Sequence, residues 1–270
     1  LPYAFIISIK KLIRYLNSFF YSGNKFYCPN CNSNFKKLLN CGQHEIVLEI
    51  QEVVGSGLRR NCLCPRCHSL DRERLIYLFL QHKTDVFNKK ISLLHIAPRE
   101  SLKKIFKRAK NISYYQGDKY EEGYNYPKEV IKLDITNLDF ADNTFDVIIC
   151  NHVLEHIQND YQAIKELYRV MKPGGFGIIQ VPLSLKLEKT FEVDTKNADE
   201  RRRLFGQSDH FRIYAKDFKE RLEKCNFEVN LYNPTDPDWN IDTELYALNK
   251  SEDLIVVNKT ISTIIFSVLF

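Results

Sequence analysis

The sequence predicts an α/β protein built on a mostly parallel sheet, and three observations carry that expectation. From residue 91 onward, short runs rich in β-branched and aromatic residues alternate with segments of helical periodicity. The run FDVIICN (145–151) is almost continuously apolar, as a parallel strand covered on both faces must be. Turn signals bound the runs. Alternation of this kind favours parallel strands joined by crossover helices.

Strands are expected at 91–97, 112–118, 129–135, 145–151 and 176–182, with two more at 227–233 and 253–259. After the first, Leu102, Ile105, Phe106 and Ala109 share one helical face, with Pro98 near the first turn. A second helix is expected over 159–172, with Ala163, Ile164, Leu167, Val170 and Met171 inward and KPGG ending it. Ser69 is the expected N-cap of a helix through LDRERLIYLFLQH. The first strand–helix junction, ISLLHIAPRES, contains no glycine. Turns that bring the backbone close to a nucleotide are often glycine-rich.

The chain has 270 residues, 44% apolar and 27% charged, which suits a soluble chain with one sizeable core and excludes wholesale disorder. Residues 1–90 hold 14 Lys/Arg against 6 Asp/Glu, so the positive charge sits at this end. Two readings stand: a face for an anionic partner, or a solvated lysine-rich surface. No run reaches the ~18–20 apolar residues of a spanning helix. In YAFIISIKKLIRYLNSFF, the residues Phe5, Ile6, Ile9, Ile13, Leu16 and Phe20 recur at helical spacing, with Lys10, Lys11 and Arg14 towards another face. The charges follow the apolar start, which is unlike a signal peptide. A membrane-surface helix and packing against the protein's own body fit equally. The tail TISTIIFSVLF is apolar but short. The expected organisation is an amphipathic segment (1–22), a cysteine-knuckle module with its linking helix (23–82), the α/β domain (83–259) and an apolar tail (260–270).

Four of eight cysteines form Cys28-Pro-Asn-Cys31 and Cys64-Pro-Arg-Cys67. Each two-residue gap lets both thiolates of a knuckle face one ion, and four sulfurs complete the closed shell of a structural zinc. Disulfide or redox pairs are the weaker reading, because both pairs share one local design without a thioredoxin-like context. Cys62 is a substitute ligand that the spacing disfavours, and Cys41, Cys150 and Cys225 are expected as packed thiols. A reducing, cytoplasmic setting follows, with peripheral contact at the inner face of a membrane through the apolar ends as an added option.

Residues 133–182 resemble class I S-adenosylmethionine (SAM)-dependent methyltransferases, through the Asp134 turn, FDVIICNHVLEHI, ELYRVMKPGG and IIQVP. From about Tyr27 to Lys259 the chain resembles a bacterial subgroup with an N-terminal cysteine-knuckle segment, an LHIAPE first motif and a late FGQ-DH-R-Y segment. Here these read Leu94-His95-Ile96-Ala97-Pro98 and Phe205-Gly206-Gln207-Ser208-Asp209-His210-Phe211-Arg212-Ile213-Tyr214. Arg99 stands where the subgroup has Glu, with Glu100 next. The resemblance implies a Rossmann-like seven-stranded sheet with an antiparallel edge pair, and SAM across the carboxyl ends of the first strands.

Candidate residues follow from chemistry and resemblance together. Asp118 ends the second strand, where a carboxylate accepts from ribose hydroxyls. The resemblance gives Asp134 the adenine amino group, with Ile135 covering the ring. His95 and Ala97 fall in the cofactor turn. Asn151 is a candidate for the cofactor's amino-acid end or a substrate hydroxyl. His152, His156 and His210 are candidate general bases. The LEH triplet is widespread in the family, so a structural role for His156 fits as well. Asp209, Arg212 and Tyr214 are expected near the acceptor, Arg212 gripping a carboxylate or phosphate, or serving as loop scaffold. No open metal site is legible in the α/β domain, so metal-free transfer is expected. The expected function is methyl transfer to O or N of a small molecule or sugar, in surface-glycan or secondary-metabolite biosynthesis. The rivals are an RNA methyltransferase gripping its substrate through the basic zinc module, and a non-catalytic binding protein.

Overall fold

All seven expected strands form: β1 (Ile91–Ile96), β2 (Ile112–Asp118), β3 (Val130–Lys132), β4 (Phe145–Asn151), β5 (Met171–Gln180), β6 (Glu228–Tyr232) and β7 (Leu254–Asn258). They are seen in a computed structural model that describes residues 12–120 and 126–261. The strands pair in the order β6-β7-β5-β4-β1-β2-β3. β1 lies parallel to both β4 and β2, and β7 is antiparallel to both β5 and β6. Only β7 therefore runs against the other six. The chain leaves β1 in one direction for β2 and β3 and crosses to the other side for β4 and β5. That reversal opens a crevice at the strands' carboxyl ends.

The main helices are α1 (Ile46–Ile50), α2 (Asp71–His82), α3 (Glu100–Arg108), α4 (Asp160–Val170), α5 (Ala198–Phe205) and α6 (Phe218–Glu223). Period-two alternation sorts the core. Leu93, Val147 and Ile149 face one side, where Ile76, Phe79, Leu102 and Phe106 of α2 and α3 cover them. Leu94, Ile148 and Ile179 face the other, beneath Ala163, Ile164, Leu167 and Leu222 of α4 and α6. Both faces are apolar, which is why the strands read as near-continuous hydrophobic runs.

Two element boundaries differ from expectation. α4 ends at Val170, and KPGG lies inside β5 rather than closing the helix. The register of β5 on β4 slips between Met171 and Phe176, so the extra residues form a bulge, with Gly174 at φ 77°. Ser69 does not cap α2. Leu70 is the N-cap residue, and its N–H donates to Glu73 Oε2 at 2.9 Å. Ser69 Oγ instead lies 3.1 and 3.2 Å from the Cys28 and Cys67 sulfurs.

The N-terminal module consists of two small antiparallel hairpins, Ser22–Cys28 with Ser33–Phe35 and Leu39–Cys41 with Arg59–Leu63. The second brings Cys41 and Cys62 to a Cα separation of 6.4 Å and they form a disulfide. Cys41 is therefore not a packed free thiol, and Cys62 is not available as a substitute ligand. Cys150 and Cys225 are buried free thiols, as expected.

One fully buried guanidinium docks the module. Arg74 donates to the carbonyls of Cys62 (3.0 Å), Ser69 (3.1 Å), Tyr246 (2.7 Å) and Ala247 (2.8 Å). It joins the cysteine loop to the segment before β7.

Of the amphipathic N-terminal segment, residues 12–18 are helical, and residues 1–11 lie outside the described part, as does the tail beyond residue 261. Leu12, Ile13, Leu16 and Phe20 are exposed, while the segment touches the module through Arg66, which donates to the buried Ser18 hydroxyl (3.2 Å) and lies over the Tyr15 and Phe19 rings. No helix among the described residues is long and apolar enough to cross a membrane.

Candidate active site and metal centres

Two cavities lie at the carboxyl ends of the strands and share His152 and His156 in their walls. The first, of about 740 Å³, is lined by Ile96, Ala97, Asp118, Leu133, Asp134 and Ile135 among others. The second, of about 530 Å³, is lined by Gly55, Ser56 and Gly57 of the N-terminal module, by Arg59, Arg72 and Arg99, and by Glu155 and His210.

The glycine-free junction is shaped for close approach all the same. Ala97 takes the left-handed conformation (φ 47°), and its N–H donates to Gly117 O at 2.7 Å. Only glycine enters that region freely; an L-residue there costs ~1–2 kcal/mol. Ala is the smallest side chain that can stand in. Asp118 and Asp134 both reach this cavity. Asp134 Oδ1 accepts from the Thr136 N–H (2.8 Å) and hydroxyl (2.7 Å), which aims the carboxylate, and buried Ile135 forms an apolar wall. Tyr126, which sequence reasoning missed, also lines the cavity and stacks on Tyr120 with ring centroids 4.3 Å apart.

His95 is not part of this cavity. Its ring is buried, with Nδ1 3.0 Å from the Tyr114 hydroxyl and its face against the Phe106 edge. Burial, reinforced by Lys103, pushes its pKa down to about 3, so it is a neutral core residue. The alternation of β1 explains this: residue 95 faces α3, away from the crevice. Arg99 turns to the second cavity, its Nε 3.3 Å from Glu73 Oε1. Asn151 ends β4 with a buried, unpartnered Oδ1 and lines neither cavity.

The wall between the cavities is a cluster of imidazoles and carboxylates. His152 is left-handed (φ 58°), and its Nδ1 lies 3.3 Å from Glu155 Oε1. Burial and the Arg72 charge push its pKa down to about 4, against the pull of Glu155, so the ring is neutral at pH 7. Its Nε2 is buried without a hydrogen-bond partner. Burial opposes ionisation of Glu155, but the bond to His152 and the charges of His156 and His210 hold its pKa at about 2. His156 Nδ1 is 2.9 Å from Asp209 Oδ2, an ion contact rather than an aligned hydrogen bond. Burial would lower its pKa, but Asp209 and Glu155 outweigh it and the pKa is raised. The His210 ring stands perpendicular to that of His156, centroids 4.7 Å apart. The spacing of 155, 156 and 210 in sequence hides this grouping. The Gly55-Ser56-Gly57 loop was also missed, although a Gly-Ser-Gly stretch between the cysteine pairs signalled a loop free to fold over a cavity.

Arg212 and Tyr214 are scaffold, not acceptor-binding groups. Arg212 is buried and donates to the carbonyls of Leu154, Ile157 and Gln158 and to Glu192. The fully buried Tyr214 hydroxyl donates to Asp160 Oδ2 at 2.7 Å, and Arg221 holds the same carboxylate. These donors are consumed by the turn after β4, by Glu192 and by the first residue of α4. Asp209 alone of the three reaches a cavity.

The two cysteine knuckles do converge. The sulfurs of Cys28, Cys31, Cys64 and Cys67 lie within 4.8 Å of one another, a set able to hold a metal ion. The Ser69 N–H points at the Cys67 sulfur (3.4 Å) and the Cys67 N–H at Cys64 (3.5 Å), the backbone donors expected around thiolates.

Residues 96–179 match a family described as methyltransferase domain. An uncharacterised methyltransferase of Schizosaccharomyces pombe is 39% identical over 69 residues, covering 22% of this chain and 25% of the relative. A demethylmenaquinone methyltransferase of Streptomyces avermitilis is 46% identical over 46 residues, 17% of this chain and 20% of the relative. The chain thus spans a quarter or less of the length of these curated relatives. Among solved structures, a SAM-dependent methyltransferase of Archaeoglobus fulgidus superposes with a TM-score of 0.45 at 14% identity, covering 72% of this chain and 96% of the other.

Proposed function

We propose that the protein transfers a methyl group from SAM to an oxygen or nitrogen of a small polar acceptor. One observation carries the proposal: a cavity walled by Asp118 and Asp134 meets a second cavity, whose wall holds three arginines, at a wall of two histidines. The first cavity fits SAM. Asp118 is suited to accept from the ribose hydroxyls, Asp134 from the adenine amino group, and Ile135 to cover the ring. When bound, SAM supplies an electrophilic methyl group on sulfur.

The chain's own residues align the acceptor and take its proton. Glu155 beside Nδ1 favours the Nδ1–H tautomer of His152, so that Nε2 is the accepting atom. The second cavity, at about 530 Å³, falls in the ~300–1,000 Å³ range of small-molecule sites. Arg59, Arg72 and Arg99 stand in its wall beside Glu45 and Glu155, with Arg59 paired to Asp71 and Arg99 to Glu73, which suits a polar acceptor such as a sugar. The four cysteines would hold a structural zinc, whose closed shell supplies no chemistry but orders the module that walls this cavity.

Calorimetry with SAM on zinc-loaded protein tests the reading. Binding that weakens in Asp118→Ala and Asp134→Ala supports it. No binding by correctly folded protein rejects it.

A further inference from the structure

We propose that Glu155, His156 and His210 form a second metal centre in the wall between the two cavities, binding one divalent first-row cation of the zinc type. Each residue offers one ligand atom, and these atoms lie within 4.8 Å of one another. Glu155 Oε2 and His210 Nε2 are buried and have no hydrogen-bond partner among the described residues. A buried polar atom left unpaired costs ~1–3 kcal/mol, and a cation between these two would satisfy both.

The surroundings are those of a metal-binding imidazole. Asp209 Oδ2 stands 2.9 Å from His156 Nδ1 without the alignment of a hydrogen bond, and a rotation of the ring would make it the carboxylate–histidine pair that orients a ligating imidazole. The other nitrogen, Nε2, is then turned to the cluster, 4.0 Å from Glu155 Oε1. The perpendicular rings of His156 and His210 present donors from two directions. The pieces are held in register by the backbone, since the Phe211 N–H donates to Glu155 O at 2.9 Å. That bond ties the turn after β4 to the loop after α5.

Two imidazoles and one carboxylate are a borderline-soft N,N,O set suited to zinc or ferrous iron, and three protein ligands leave coordination positions open. This differs from the closed four-cysteine site. His156 lines both cavities and His210 the second, so the open positions face ligand space. Such a centre departs from the sequence-based expectation of an α/β domain without a metal site. One consequence rests on the methyl-transfer reading: an acceptor hydroxyl on the ion would be acidified, with His152 Nε2 in the same wall to take its proton. Metal binding itself does not depend on that reading.

The test is metal stoichiometry on the full chain, stripped with a chelator and reloaded with Co²⁺ as a spectroscopic probe. The expected result is two equivalents per chain. His156→Ala and His210→Ala each fall to one while keeping the thiolate-to-cobalt bands of the cysteine site, which also certifies that they fold. Cys28→Ser loses those bands and keeps the other equivalent. A single equivalent in the wild-type protein, lost in Cys28→Ser, overturns the proposal, as do two equivalents insensitive to both histidine substitutions. The wild-type count decides even where a variant fails to fold. It is read without SAM, so its failure leaves methyl transfer standing, and failed SAM binding leaves the metal centre standing.

Discussion

Asp118 is the last residue of β2, and Asp134 opens the turn that follows β3. Spacing therefore made both legible. Each carboxylate is assigned hydrogen bonds from SAM, and a hydrogen bond to a charged group contributes ~1.5–3 kcal/mol. Asp118→Ala and Asp134→Ala are each expected to weaken SAM binding by roughly tenfold or more, read by calorimetry. His95 was misjudged at the same scale, because proximity to the turn in sequence does not say which side of the strand a residue faces. Glu252 carries a pH prediction. It is buried, and burial together with Asp71 pushes its pKa up to about 7, against Arg72 and Arg59. The folded state thus holds this proton more tightly than the unfolded chain does. The stabilisation is complete below the ordinary carboxylate pKa and is lost as pH rises through about 7. Glu252→Gln should melt above wild type near pH 8 and close to it near pH 5; equal shifts at both would remove the assignment.

At the scale of elements, strand existence was legible and helix ends were not. Apolar runs specify strands locally, whereas KPGG reads as a helix stop and also serves as a bulge, and only pairing with β4 decides between them. Gly117 shows a constraint of the same tertiary kind. A Cβ there would sit 1.7 Å from Leu133 Cδ2, so Gly117→Ala must displace the side chain beneath the cofactor wall. An overpacking cost of ~1–3 kcal/mol is expected, visible in denaturant midpoints and as weaker SAM binding. Arg74 is the corresponding test of docking. Arg74→Met leaves four carbonyls without their shared donor, and a loss of ~3 kcal/mol is expected. That corresponds to a melting temperature lower by roughly 6–12 °C.

For the whole molecule, the module and the sheet share one cavity. A Cβ on Gly55 would lie 3.2 Å from His152 Nε2 and 3.1 Å from Glu252 Oε1, so this loop closes directly over the histidine wall. Chelating the four-cysteine site should therefore raise hydrogen exchange across residues 53–63 and lower the melting temperature. SAM affinity should change less than about threefold, because the carboxylates proposed to hold it, Asp118 and Asp134, lie at the end of β2 and in the turn after β3. Loss of SAM binding on chelation would contradict this division.

The sequence by itself determined what depends on short-range pattern: the strand order of events along the chain, the two apolar faces, the cysteine knuckles and the strand-end acids. Periodicity and two-residue spacings are local, and local sterics translate them into structure without further information. Tertiary structure alone decided what depends on meetings between distant segments: Cys41 with Cys62, Arg74 with Tyr246, Gly55 with His152, and Glu155 and His156 with His210. Those meetings are set by how the layers pack, and no periodicity within one segment encodes the position of another.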